Sequence, residues 1–207
     1  MKDKLIIIGA SGHGKVVADI AIKINKWQNI AFLDDDESIK TSMGLEVIGK
    51  TADAFKYKDD ADFFVAIGSN TTREKIQEKF MHEGLNIVSL LHPSAVIGTD
   101  VELGIGTVVM AGVVINSSTR IGDGCIINTS SSLDHDNVIE GYVHISPGVS
   151  SAGTVKVGRL SWIGIGSVIS NNVNICSGCK VGAGAVVVKD IIKSGTYVGV
   201  PVRRVDR

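Results

Sequence analysis

A chain of 207 residues that is 44% hydrophobic has enough apolar material for a real core in one or two domains. Its formal net charge of -1 gives no basic footprint, so neither nucleic acid nor an anionic membrane surface is an expected partner. Three cysteines, Cys125, Cys176 and Cys179, are the usage of a reducing compartment, and the apolar run at Leu5–Ile8 is too short for a signal-peptide core or a membrane span. A cytoplasmic location is the expectation.

Residues 5–9 (LIIIG) read as a buried strand, and GHGKVVADIAIKI continues as a helix with Val16, Val17, Ile20 and Ile24 on one side. Residues 31–36 (AFLDDD) form a second strand ending in acids, and 63–68 (FFVAIG) a third. TTREKIQEKFMHEGL then gives a helix face through Ile76 and Phe80 with a stop at Gly84, and residues 86–91 (NIVSLL) close the series. Strands and helices in this rhythm predict a small parallel α/β, Rossmann-like domain over residues 1–91. The turn Gly9-Ala10-Ser11-Gly12-His13-Gly14 follows a strand and opens a helix, so its amides are placed to receive phosphate. Its glycines stand at the first, fourth and sixth places, unlike the dinucleotide fingerprint with glycine at the first, third and sixth. Asp34 ends the second strand where a ribose-binding acid belongs. Alone this weakly suggests a nicotinamide enzyme, but so short a domain has room for one mononucleotide half.

From His92 onward the period becomes six. Stepping by six from Ile97 to Val187, fifteen of sixteen residues are aliphatic, the exception being Ser151. Four places after each stands a mostly small residue, and glycines cluster at the second and fourth places. Six is neither a helical nor a hairpin period. It is the hexapeptide repeat of a parallel β-helix with three repeats per coil, which predicts about five coils over residues 97–186 within a second domain, 92–207. Cys125 and Cys179 fall at small inward places and Cys176 at an outward one, so the Cys-Ser-Gly-Cys spacing reads as packing; no metal site is expected.

One segment, NTSSSLDHDN at 128–137, breaks the surface of this pattern while keeping its core. His135 takes an outward place in its hexad, flanked by Asp134 and Asp136, whose charges favour the imidazolium. Its neighbours one coil away, Ser117 and Gly153, are small. His144, nine residues on, points from another side of the prism.

The whole chain resembles the left-handed β-helix acyltransferases of nucleotide-activated amino sugars, and is most similar to the PglD/NeuD-type sugar acetyltransferases. The motifs that carry the resemblance are IIIGASGHGKVV, FLDD at 32–35, VAIGSN at 65–70, LLHPSAVIG at 90–98, NTSSSLDHDNVIEGYVHISPG at 128–148 and the C-terminal VGVPVRRV. The resemblance implies an acetyl-CoA-dependent homotrimer with active sites between neighbouring β-helices. It implies that His135 is the general base and Asp136 the acid that raises its proton affinity. His144 matches a residue touching acetyl-CoA from the adjoining subunit, and Ile165 and Ala183 would line the pantetheine channel. Ser11, Gly12 and His13 match the loop that holds the sugar nucleotide, Asp34 and Asp35 the acids at its base and ribose, and Gly68 a backbone contact. The family often has glutamate where this chain has Asp136.

The implied activity is N-acetylation of a nucleotide-activated amino sugar of the UDP-4-amino-4,6-dideoxy-N-acetylglucosamine type, for bacterial glycan or glycoprotein biosynthesis. A neutral amine attacking a thioester needs a base for the released proton, and a histidine supplies one. An acyl-enzyme through Ser130, Ser131 or Ser132 is the rival route. Sialic-acid-type O-acetylation and a non-catalytic hexapeptide scaffold are the alternative functions. A metal-dependent hydratase would need three histidines on the prism, and only His135 and His144 are there.

Overall fold

The computed structural model describes residues 2–205, in two compact units, Met1–Pro93 and Ser94–Arg207. The first unit opens with β1 (Lys4–Ile8), α1 (Gly12–Ile24) and β2 (Asn29–Leu33). A short antiparallel hairpin follows, β3 (Thr41–Ser42) and β4 (Leu45–Glu46), then a 3-10 turn at Thr51–Tyr57, β5 (Ala61–Val65) and α2 (Asn70–His82). The sheet is parallel in the order β2-β1-β5, with Lys4 opposite both Asn29 and Ala61. All of β5 and residues 5–8 of β1 are buried, which is why these strands are apolar on both faces rather than alternating, save for Asp62 of β5, whose buried carboxylate accepts from Trp27 Nε1 at 2.8 Å and Asn86 Nδ2 at 2.6 Å.

β1 lies one residue before the sequence expectation, β2 and β5 start two and end three residues before it, and the acids of FLDD lie just beyond β2. Of NIVSLL, only Leu90–Leu91 is a strand, while Ile87 makes a single bridge to Phe63. Of the side expected to face inward on α1, Val17 and Ile20 are buried, joined by Ala18 and Ala21, whereas Val16 is exposed. The helix is rotated because Gly14 must face inward: a Cβ there would lie 2.0 Å from the Gly9 carbonyl oxygen. Asn25, at φ 55°, ends the helix by returning its N–H to Ala21 and Ile22. Phe63 and Phe80 pack edge-to-face in the core with centroids 6.3 Å apart.

The second unit is a left-handed parallel β-helix with three ladders of two-residue strands. The first face runs from Val96–Ile97 to Val186–Val187, the second from Glu102–Leu103 to Asn174–Ile175, and the third from Val108–Val109 to Lys180–Val181. Partners on adjacent coils are eighteen residues apart, as with Ile115 opposite Leu133. The second residue of each strand points inward, and the inward aliphatics from Val109 through Val187 are almost wholly buried. Each such side chain contributes roughly 1.5–3 kcal/mol of apolar burial. The corners turn through left-handed residues at a fixed place in the coil, as at Asp100, Ser118, Asp136, Thr154 and Asn172.

The solenoid has about six coils, not five. A sixth is completed by Val186–Val187, by Ile191 bridging to Ile175, and by Thr196–Val198 on Lys180–Val181. The six-residue step misses it because Ile191 comes only four residues after Val187. Arg203–Val205 then folds back antiparallel on Thr196–Val198.

Candidate active site

The corner between the Ser132–Leu133 and Val138–Ile139 strands carries Asp134, His135 and Asp136. Asp136 holds the left-handed conformation of that corner, φ 57°, which short polar residues tolerate. Its carboxylate Oδ2 lies 2.7 Å from Nδ1 of His135. That hydrogen bond is the largest influence raising the His135 pKa above its ordinary value; the charges of Asp134 and Asp136 add to it and partial desolvation opposes it. With Nδ1 held by Asp136, Nε2 is the basic atom offered outward, and the side chain is 58% exposed. Gly153, one coil on, provides the room: a Cβ there would stand 2.6 Å from both Cε1 and Nε2 of His135.

The two carboxylates divide their work. Asp134 accepts from Asn116 Nδ2 at 2.8 Å and from the His135 amide at 2.9 Å, contacts that hold its pKa below the usual range, so it fixes backbone while Asp136 holds the ring.

His144 belongs to the third face and is nearly buried. Its ring stacks on Trp162, centroids 4.9 Å apart, and Nε2 lies 3.1 Å from Asn128 Nδ2. The Asn128 carbonyl oxygen accepts from the Thr129 amide at 2.8 Å, which orients the amide so that Nδ2 is the donor and His144 Nε2 the acceptor. Trp162 is tied in turn by its indole N–H to Ser146 Oγ at 2.8 Å. Ile165 and Ala183 are exposed, one coil apart, at the corner between the third and first faces. In a three-sided prism the third face lies opposite the corner that carries His135. Within one chain, therefore, His135 is not brought together with His144, Ile165 and Ala183.

In the first unit, Ser11 and Gly12 are exposed at the start of α1, where Ser11 makes no side-chain cap. His13 is mostly buried, its Nε2 has no hydrogen-bond partner, and burial together with the nearby Arg73 guanidinium pushes its pKa down to about 4. Asp34 accepts from the Ala10 amide at 2.6 Å and from the Asp36 amide at 2.9 Å, clamping the glycine turn to the end of β2. Asp35 accepts from the Thr51 amide at 2.9 Å. An open crevice of about 270 Å³ beside Asp34 is also lined by Lys40 and Lys50.

Arg73 escaped the sequence reading. It is fully buried on α2, donating to the carbonyls of Ile67 at 2.9 Å and Gly68 at 3.3 Å and to Asn70 Oδ1 at 2.9 Å. Polar residues at an i, i+3 spacing on a helix gave no apolar signal; the spacing alone placed Asn70 and Arg73 on one face. Cys125 and Cys179 are buried and Cys176 half-buried, with the Cys176 and Cys179 sulfurs 3.5 Å apart and the Cys179 thiol pushed up to about 12, first by burial.

A hexapeptide β-helix with an outward histidine–carboxylate pair, joined to a parallel α/β unit with a phosphate-type turn, defines the class of hexapeptide acyltransferases. Residues 4–80 match the PglD N-terminal domain family. The acetyltransferase domain of PglB from Neisseria gonorrhoeae, solved also in complex with acetyl coenzyme A, is 37% identical with a TM-score of 0.96, covering 99% of this chain and 100% of that one. GDP-perosamine N-acetyltransferase of Escherichia coli is 29% identical over 177 residues, 81% of this chain and 78% of that protein. UDP-N-acetylbacillosamine N-acetyltransferase of Bacillus subtilis is 34% identical over 114 residues, about half of each chain. The chain belongs to the PglD-type hexapeptide-repeat sugar acetyltransferases.

Proposed function

We propose that this chain moves an acetyl group from acetyl-CoA to the 4-amino group of a nucleotide-activated 4-amino-4,6-dideoxy sugar, of the UDP-4-amino-4,6-dideoxy-N-acetylglucosamine type. The observation that carries the reading is the His135–Asp136 pair at 2.7 Å, with Nε2 facing the space left by Gly153. The Escherichia coli and Bacillus subtilis relatives are named for a GDP- and a UDP-linked amino sugar, and the Neisseria domain was solved with acetyl coenzyme A, which supports the substrate class and leaves both nucleotides to be compared.

In the reaction the amine nitrogen attacks the thioester carbonyl as His135 Nε2 takes its proton. The tetrahedral intermediate collapses, the C–S bond breaks, and the proton passes to the departing CoA sulfur. Asp136 stabilises the transient imidazolium. A base in this position contributes about 10²–10⁴-fold.

His135 and His144 face opposite sides of one prism, so a site that uses both takes them from two chains. This favours a homotrimer with acetyl-CoA held between neighbouring β-helices by His144, Ile165 and Ala183. The turn Ser11-Gly12-His13 with Asp34, Asp35 and Gly68 would hold the sugar nucleotide. Among the described residues no helix is long and apolar enough to cross a membrane.

The test is thiol release from acetyl-CoA with UDP-, GDP- and dTDP-4-amino sugars, for the parent and His135→Ala. Turnover of one such sugar, lost by about 10²–10⁴ in kcat in the variant, is expected. Full activity in His135→Ala ends the reading.

A further inference from the structure

The inward places of a hexapeptide prism are apolar or small for a physical reason: a buried polar group costs free energy unless it is fully hydrogen-bonded. Four places after each step, from Val101 to Ala185, the chain has Val, Thr, Cys, Ser or Ala, with one exception, the amide of Asn137. The aliphatic step itself also has one exception, Ser151. The two meet. Asn137 is fully buried, and Ser151 Oγ lies 3.4 Å from its Oδ1. Two departures from a strict repeat, fourteen residues apart, converge inside the coil that carries His135.

Their hydrogen bonds show where they act. Asn137 Nδ2 donates to the Asp134 carbonyl at 2.6 Å, and Thr119 Oγ1 donates to the same carbonyl at 2.8 Å. That carbonyl belongs to the peptide whose nitrogen is the His135 amide, which is held from outside by the Asp134 carboxylate at 2.9 Å. Asn137 Oδ1 accepts from the Val155 amide at 2.9 Å, anchoring the brace to the next coil. The peptide before the histidine is thus gripped from the core and from the surface together. Elsewhere in the prism Thr107 and Ser161 donate to a corner carbonyl of the next coil, at Gly122 and Cys176, and accept the amide three residues further on.

We infer that Asn137, seconded by Ser151, is a positioning residue that fixes the His135 backbone from inside the prism so that the imidazole meets Asp136 and the substrate amine in one orientation. The inference rests on His135 being the base. An aliphatic residue would fill the core as well, but would take the shorter of these two core hydrogen bonds from the Asp134 carbonyl and leave the inner grip to Thr119 Oγ1. A tolerance of about an ångström separates productive from unproductive base geometry.

The experiment compares Asn137→Ala, Ser151→Ala and His135→Ala in the full-length protein. Asn137→Ala should lower kcat about 10–10²-fold with both KM values within about twofold, and should move the acidic limb of the pH–rate profile to lower pH as the His135–Asp136 pair loosens. Ser151→Ala, which removes one hydroxyl and retains the backbone, should lower kcat about threefold with an unchanged melting temperature. If Asn137→Ala does not fold, Ser151→Ala decides the matter, and kcat within 1.5-fold of the parent overturns the inference. A folded Asn137→Ala with parental kcat and an unmoved pH limb overturns it equally. If instead His135→Ala stays active, the base assignment itself is what has failed.

Discussion

Replacing Gly153 by alanine adds one methyl where the His135 ring lies. The new Cβ would stand 2.6 Å from Cε1 and Nε2, whereas carbon contacts settle at about 3.5–4.0 Å. The ring must therefore retreat by roughly 1 Å. The Gly153 backbone lies outside the left-handed region, so alanine can adopt it, and the half-exposed imidazole yields before the coil does. Stability should hardly change. Catalysis should, because a displacement of about 1 Å at a reacting group costs on the order of 10²-fold in rate, or about 2.7 kcal/mol of barrier. Steady-state thiol release should show kcat down about 10²-fold with both KM values near parental and the melting temperature within about 1–2 °C. A kcat within threefold of the parent would show that the base does not work from the space beside Gly153.

Asp136→Asn removes the anion whose hydrogen bond raises the His135 pKa, so the acidic limb of the kcat profile should move to lower pH while kcat falls; a fixed limb would mean that Asp136 only orients the ring. His13→Ala should raise KM for the sugar nucleotide far more than KM for acetyl-CoA, and equal rises would remove the glycine turn from sugar-nucleotide binding. His13, whose pKa falls from 6.5 to about 4 in the folded state, stays neutral where the unfolded chain takes up a proton. Stability should thus be full above pH 6.5 and decline toward pH 4, by up to about 3 kcal/mol, measured as urea midpoints; His13→Gln should flatten this slope, and Arg73→Met should lessen it by removing a cation that lowers the pKa. Light scattering should give three times the 21.8 kDa chain mass, and a stable monomer would exclude a site shared between prisms.

Much of this protein was legible in the chain itself. A strict six-residue period allows little besides a three-sided parallel coil, because only there do residues eighteen apart stack with the same side inward. The polar surface at 128–137 over an aliphatic step pointed to the corner proposed as catalytic for the same reason: the step held through Ile145 while the outward places changed chemistry. The parallel sheet of the first unit was legible because strands buried on both faces cannot alternate.

Tertiary structure decided what depends on contacts between distant residues. The sixth coil required Ile191 to find Ile175 out of step with the repeat. Val16 turned outward because Gly14 had to meet the Gly9 carbonyl, a constraint of close approach that periodicity does not carry. Arg73 and Asn137 carry no apolar signal, and what a buried polar side chain does is not legible until its partners are known. Those partners are carbonyls, at Ile67 and Gly68 for one and Asp134 for the other, and backbone groups leave no mark in a sequence.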